Sequence, residues 1–133
     1  MERRYLDSYI PLVDAIAETF GKNCEVVLHD LSRPEQSIIK IANGHLTGRD
    51  VGSSATDFVL SLLGKRNLKK DYFVGYPTKT KKGVELKSTT VFIRDRKKRV
   101  IGALCKGSAK RVSKELSVSL PTIYKYLEEI QEI

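Results

Sequence analysis

Cys24-Glu25-Val26-Val27-Leu28-His29-Asp30-Leu31 is the stretch on which the fold turns. Rich in apolar and β-branched residues, it reads as a largely buried strand. Side-chain alternation puts Val27 and His29 on one face and Val26, Leu28 and Asp30 on the other. Ser32-Arg33-Pro34-Glu35 then turns the chain, and Ser37-Ile38-Ile39-Lys40-Ile41-Ala42 follows as a second strand. So short a connection predicts an antiparallel hairpin.

Upstream, apolar residues recur at Leu6, Tyr9, Ile10, Val13, Ile16, Ala17 and Phe20, which is helical spacing. A helix over 6–20 is predicted, with Ser8 as N-cap, Pro11 in the first turn and Gly21 as the stop. Downstream, 43–54 is turn-rich, with Gly44, Gly48 and Gly52. Ser54 and Asp57 resemble a capping box, followed by an apolar helical stripe of Ala55, Phe58, Val59, Leu62 and Leu63 that Gly64 stops. Three more strands are expected over 72–77, 86–94 and 100–105, joined by polar turns at Lys81-Lys82-Gly83 and Arg96 to Arg99. The order predicts an α+β domain: a five-stranded antiparallel sheet with helices on one face, and room between them for a small ligand.

The chain has 133 residues, formal charge +8 and 41% hydrophobic residues. That suits one compact domain with a small appendage and argues against wholesale disorder. No apolar run approaches the roughly 20 residues that span a bilayer, and MERRYLDSYI lacks the apolar block of a signal peptide. Cys24 and Cys105 sit in apolar strands without CxxC or HxxxH spacing, so a reducing cytoplasm, and no metal, is the expectation. No nucleophile elbow, P-loop or GxGxxG gives positive support to catalysis, and no cofactor is implied beyond an unidentified small molecule.

The charge is concentrated. Residues 65–99 hold thirteen Lys and Arg against Asp71, Glu85 and Asp95. Such a surface attracts polyanions in a salt-dependent way. Lysine-rich hairpin tips also simply stay solvated and protect sheet edges, and no aromatic interleaving accompanies these clusters.

After Lys106 the pattern changes. From Ser108 to Leu116, Ala109, Val112 and Leu116 share one face, with Lys110, Arg111 and Lys114 on the other. Ser117-Val118-Ser119 interrupts, and 120–133 continues with Ile123, Leu127 and Ile130 inward. Ser119 is placed to cap this second helix, with Pro121 in its first turn. Two short helices joined by three residues carry a helix-turn-helix signature. In that arrangement Thr122, Tyr124 and Lys125 face the DNA groove, Lys110 and Arg111 lie on the polar face of the first helix, and free N–H groups near Ser119 suit a phosphate. The other reading is a two-helix tail packed on the sheet through Val112, Ile123, Leu127 and Ile130.

NCEVVLHDLS (23–32), IANGHLTGRDVG (41–52) and FIRDRKKRVIGALC (92–105) resemble the YheO-like PAS domain of bacterial transcriptional regulators. VSKELSVSLPTIYKYL, within 106–130, resembles the end of the helix-turn-helix that closes the same family's chains. The resemblance implies a PAS-like sensory domain over 1–105 and a truncated helix-turn-helix-like tail over 106–133. It implies a small-molecule effector, DNA as a partner, and a homodimer whose contact could include the N-terminal helix. Three features depart from the pattern. Cys105 runs straight into Lys106, where family members carry a longer segment; Ser117 stands where such turns usually have glycine; and Lys98 replaces the glycine usual before the last strand.

The PAS resemblance also places His29, Asp30, Asn43, His45 and Arg94 near the sheet or its pocket, with His29, Asn43, His45 and Arg94 as candidate ligand contacts. A histidine beside apolar residues is equally a core histidine satisfied by the protein itself. Asn43-Gly44-His45 is equally a turn.

Overall fold

The computed structural model describes residues 2–53, 69–80 and 83–109. Two N-terminal helices, α1 (Glu2–Asp7) and α2 (Ile10–Phe20), precede the strand pair β1 (Cys24–Asp30) and β2 (Ile38–Ala42). Strands β3 (Tyr72–Lys79), β4 (Glu85–Arg94) and β5 (Val100–Ala109) complete the order. Short 3-10 turns at Pro34–Gln36 and Gly44–Leu46 flank β2. These strands form one sheet in the order β2-β1-β5-β4-β3, and every neighbouring pair is antiparallel.

The N-terminal helix is not continuous, as its apolar spacing predicted, but broken at Ser8 and Tyr9. Pro11 explains the break. In an unbroken helix its ring would collide with the carbonyl of Asp7, four residues back, and it has no N–H to donate. Ser8 does not cap forward. Its hydroxyl donates back to the Tyr5 carbonyl at 2.6 Å, and Tyr9, without a side-chain cap bond, starts α2. Gly21 stops α2, with φ 86 and its N–H on the Ala17 carbonyl.

Strand β1 is buried along its whole length because it lies between β2 and β5 with both faces covered. On one face Cys24, Val26 and Leu28 pack with Leu6, Val13 and Ala17 of the helices and with Ile93 and Ile101. Lys40 of β2 reaches Asp14 of α2 at 3.4 Å on this same side. Gly102 permits the close seating of α1: a Cβ there would lie 2.5 Å from Leu6 Cδ2 and 2.7 Å from the His29 carbonyl oxygen.

The opposite face carries Glu25, Val27 and His29. Two apolar clusters bracket it: Leu31, Phe92 and Ala103 at one end, with Phe73 edge-on to Phe92, and Leu46, Leu86 and Ala109 at the other. The described helices and the space between these clusters therefore lie on opposite sides of the sheet. The 55–63 helix that the sequence also predicts over the sheet lies outside the described residues.

Strand β5 also runs four residues past Cys105, into the segment read as the start of a helix at Ser108. The reason is pairing on both sides: Ser108 faces Cys24 of β1, and Ala109 faces Leu86 of β4. The expected stripe Ala55 to Leu63 and the two tail helices beyond Ala109 lie outside the described residues. The β4–β5 turn contains Lys98 at φ 65, the left-handed conformation that the usual glycine adopts without strain.

Candidate functional site

The loop after β2 builds one wall of the site. Asn43, at φ 60, leaves the sheet in a left-handed conformation. Its side-chain amide donates to the carbonyls of Gly21 (3.1 Å) and Cys24 (2.8 Å), tying the loop to the start of β1. The Gly44–Leu46 turn follows, and a Cβ on Gly44 would sit 2.6 Å from the Arg49 carbonyl oxygen, so only glycine lets the loop fold back this tightly. The result brings Thr47 and Arg49 over β1.

There Arg49 Nη2 donates to Glu25 Oε1 at 2.6 Å, and the Thr47 hydroxyl donates to Glu25 Oε2. Arg49 Nε also points to Thr47 Oγ1 at 3.3 Å. The Glu25 side chain is 3% exposed, and a carboxylate this deeply buried needs a cation such as the guanidinium held against it. Two residues along the same face, His29 is fully buried, and its Nδ1 lies 2.8 Å from Ser37 Oγ. Burial first, and the Arg49 charge second, hold the imidazole down to about 3, so it is neutral.

Hydroxyls from the other strands face this pair. Tyr76 and Thr90 meet at 2.5 Å, Thr78 and Ser88 at 2.8 Å, and Thr90 touches Cys105 Sγ at 3.3 Å. Burial pushes the Cys105 thiol up to about 11, which favours the neutral thiol in this wall. Glu25, Val27, His29, Arg49, Tyr76, Ser88 and Cys105 are among the groups lining a cavity of about 180 Å³. Two buried polar atoms in this lining lack a hydrogen-bond partner among the described residues: His29 Nε2 and Arg49 Nη1.

Of the expected ligand contacts, all among the described residues, the structure brings His29 to the cavity and not Asn43, His45 or Arg94. Asn43 locks the loop. His45 is exposed on the 3-10 turn. Asp30 Oδ1 accepts from the backbone N–H and hydroxyl of Ser32. Arg94 lies at the far end of β4, where its guanidinium donates to Asp71 Oδ1 (3.1 Å) and the Lys98 carbonyl (2.9 Å). It borders a separate, open hollow of about 560 Å³ with Tyr5 and the basic β4–β5 turn. Ser119, Thr122, Tyr124, Lys125, Lys110 and Arg111 lie outside the described residues. Among the described residues no three His, Cys, Asp or Glu side chains converge as metal ligands, and no helix is long and apolar enough to cross a membrane.

Glu25 and Arg49 escaped the sequence reading, although one signal was present. A carboxylate inside a strand read as buried demands a cation, and Arg49 stands in the turn-rich segment that follows the hairpin.

Comparison with known proteins agrees with this architecture. The YheO-like PAS domain matches residues 1–106. The uncharacterized protein YheO of Escherichia coli strain K12 is 45% identical over 105 residues, covering 75% of this chain and 42% of that protein. An uncharacterized protein of Haemophilus influenzae is 41% identical over 107 residues, covering 78% of this chain and 47% of that one. The chain thus spans less than half the length of these curated relatives. An RNA-binding light-oxygen-voltage receptor superposes with a TM-score of 0.50 at 13% identity, over 96% of this chain and 40% of that one. The dark structure of the blue-light photoreceptor Aureochrome1 LOV gives 0.50 at 17% identity, over 90% and 91%. At such identities the structural likeness concerns the fold. With a sheet of this order and a sequence match from residue 1 to 106, the chain belongs to the YheO-like PAS domain family.

Proposed function

We propose that the chain is the sensory part of a transcriptional regulator: a small molecule held against β1 biases the domain, and the C-terminal helix-turn-helix-like segment reads DNA. The observation that carries the sensing half is the cavity against β1, lined by polar side chains that include Glu25, His29, Arg49 and Tyr76. The DNA half rests on the tail sequence, with Thr122 and Lys125 as base or phosphate contacts and Ser119, Tyr124, Lys110 and Arg111 around them. A homodimer fits this reading because palindromic operators match two-fold symmetry. Tyr5, Leu12 and Phe20, 49%, 45% and 58% exposed on α1 and α2, offer an apolar contact.

The test is a titration against candidate promoter DNA and scrambled DNA at two salt concentrations, with Thr122→Ala/Lys125→Ala alongside. Specific binding, lost in the double variant, is expected. A specificity ratio near one leaves a PAS module that binds a ligand or a protein without reading DNA, with the basic clusters of 65–99 supplying a salt-dependent background.

A further inference from the structure

We propose that the basic end of the sheet binds single-stranded nucleic acid, with phosphates on Lys69-Lys70 and the β4–β5 turn and bases on Tyr5 and Tyr72. The inference rests neither on the cavity against β1 nor on the tail.

Folding gathers two basic clusters that lie apart in the sequence. Arg94 joins them: its guanidinium donates to the Lys70 carbonyl at 3.2 Å, to Asp71 Oδ1 at 3.1 Å and to the Lys98 carbonyl at 2.9 Å. The acids within these segments are already engaged. Asp71 faces Arg94. Asp95 accepts from Arg99 Nε at 2.8 Å and from the backbone N–H groups of Lys97 and Arg99. Lys69, Lys70, Arg96, Lys97 and Lys98 are exposed, and none has a counter-charge among the described residues. So many unbalanced cations at one strand end attract a polyanion.

The rings decide which polyanion. Neither cluster has interleaved aromatics in the sequence, but folding brings one from a distance. Tyr5 of α1 lines the open hollow of about 560 Å³ together with Arg94, Arg96, Lys97 and Arg99, and Ile101 gives it apolar wall. Tyr72, at the start of β3, is paired through Val91 and Leu104 with Leu28. Directly paired residues share a face, so Tyr72 stands on the helix side of the sheet, as Tyr5 does. The two rings are 49% and 60% exposed, and half-exposed Val91 adds apolar surface beside Tyr72. Exposed rings beside unbalanced cations suit unpaired bases, which stack on aromatics. A duplex keeps its bases stacked inside, and an acidic peptide has none. The tail leaves from Ala109 at the other end of β5, roughly 30 Å away, so the two surfaces can be tested apart.

The full chain is titrated, with fluorescence anisotropy as the readout, against labelled single-stranded DNA of about ten nucleotides. Its duplex, an abasic phosphodiester of equal length and polyglutamate are the comparison arms. The single strand is expected to bind at least about tenfold more tightly than the abasic backbone, and more tightly than the duplex. Tyr5→Ala/Tyr72→Ala, at exposed positions, is expected to fold and to lose about tenfold or more for the single strand while the abasic arm stays unchanged. Arg96→Ala/Lys97→Ala is expected to reduce the slope of log affinity against log salt by about 1.4, at about 0.7 per phosphate. Phe20→Ala removes an exposed ring at the opposite end, beneath Lys106. That variant and Thr122→Ala/Lys125→Ala are expected to bind the single strand as the parent does. Equal affinity for the single strand and the abasic backbone overturns the proposal, as does preference for duplex or polyglutamate. So does a loss in Phe20→Ala or in the tail variant as large as in the tyrosine variant, or no binding at low salt. A dimer that Tyr5→Ala dissociates would put that ring between two copies and overturn it too. The promoter titration is separate: promoter specificity absent with single-strand binding intact removes the DNA-reading proposal and leaves this one standing.

Discussion

The two faces of β1 differ in what holds them. Under α1 and α2, Val26 and Leu28 pack into an apolar cluster with the helices, the dry face of the strand. On the other face of the same strand, Glu25 and His29 are as deeply buried as those apolar residues. They are held by an arginine, a threonine and a serine. The dry face is stabilised by area and fit, which tolerate no occupant. The polar face is stabilised by pairing, which among the described residues is incomplete at His29 Nε2 and Arg49 Nη1. Removing a group from the first face costs a cavity; removing one from the second strands its partner.

The largest expected effect comes from breaking the pair on the polar face. Arg49→Ala leaves the Glu25 carboxylate buried and unpaired and is expected to cost about 3–5 kcal/mol in urea unfolding. Glu25→Gln/Arg49→Met removes both charges and is expected to return to within about 1–2 kcal/mol of the parent. Leu28→Ala on the dry face, at about 2–5 kcal/mol, has no such rescuing partner. Additive losses for Glu25 and Arg49 would show that the two faces are held alike.

Gly102→Ala probes the seating of the helices. The new methyl would meet Leu6, which can turn, and the His29 carbonyl, which cannot move without shifting β1. A cost of about 1–3 kcal/mol by chemical denaturation is expected, as for other overpacked contacts. Because the collision reaches the His29 carbonyl, the pH slope of stability set by His29 serves as the second readout. An unchanged slope would show the strand rigid enough to keep the faces independent.

His29 gives the polar face a pH signature that the dry face lacks. Its imidazole is held at about 3, below the ordinary 6.5. Below pH about 6.5 the unfolded chain takes up a proton that the folded chain refuses. Stability from this group is therefore complete above about 6.5 and falls as pH drops toward 3. The slope is expected to average about 1 kcal/mol per pH unit between about pH 6.5 and 5.5 and to approach about 1.4 at lower pH. Between about pH 6.5 and 5.5 few carboxylates titrate, so urea midpoints there isolate the histidine. His29→Gln is expected to flatten the slope, and an unchanged slope would place the proton elsewhere.

Much of this contrast was legible in the sequence, for a physical reason. Period-two alternation in 24–31 separates Val27 and His29 from Val26 and Leu28, and the structure keeps that division. Hairpin connections and turn residues likewise located all five described strands. What could not be read was long-range. Nothing local to Arg49 says that a glycine-tightened loop carries it back onto Glu25, 24 residues earlier. Arg94 misled because its guanidinium chemistry suits a ligand as well as it suits Asp71 and two backbone carbonyls at a strand end. The break at Ser8 was hidden by apolar spacing that continues through it, although Pro11 carried the signal. The extension of β5 to Ala109 depends on partners in β1 and β4, which outweigh the helical spacing that begins there.

The β4–β5 turn supplies a control that belongs to neither face. Lys98 holds φ 65 between Asp95 and Arg99, whose backbone groups close the turn at 2.9 Å. A non-glycine residue in that conformation carries about 1–2 kcal/mol of strain, offset in part by the lower flexibility of lysine in the unfolded chain. Lys98→Gly keeps the carbonyl that Arg94 uses and is expected to stabilise the fold by about 0.5–1 kcal/mol, read as a higher urea midpoint at unchanged slope. Because the turn touches neither the helix contact nor the Glu25–Arg49 pair, the gain should add to the loss from Gly102→Ala and to that from Arg49→Ala alike. Additivity with one and coupling with the other would mean that the strand ends, and not the faces, transmit strain through the sheet.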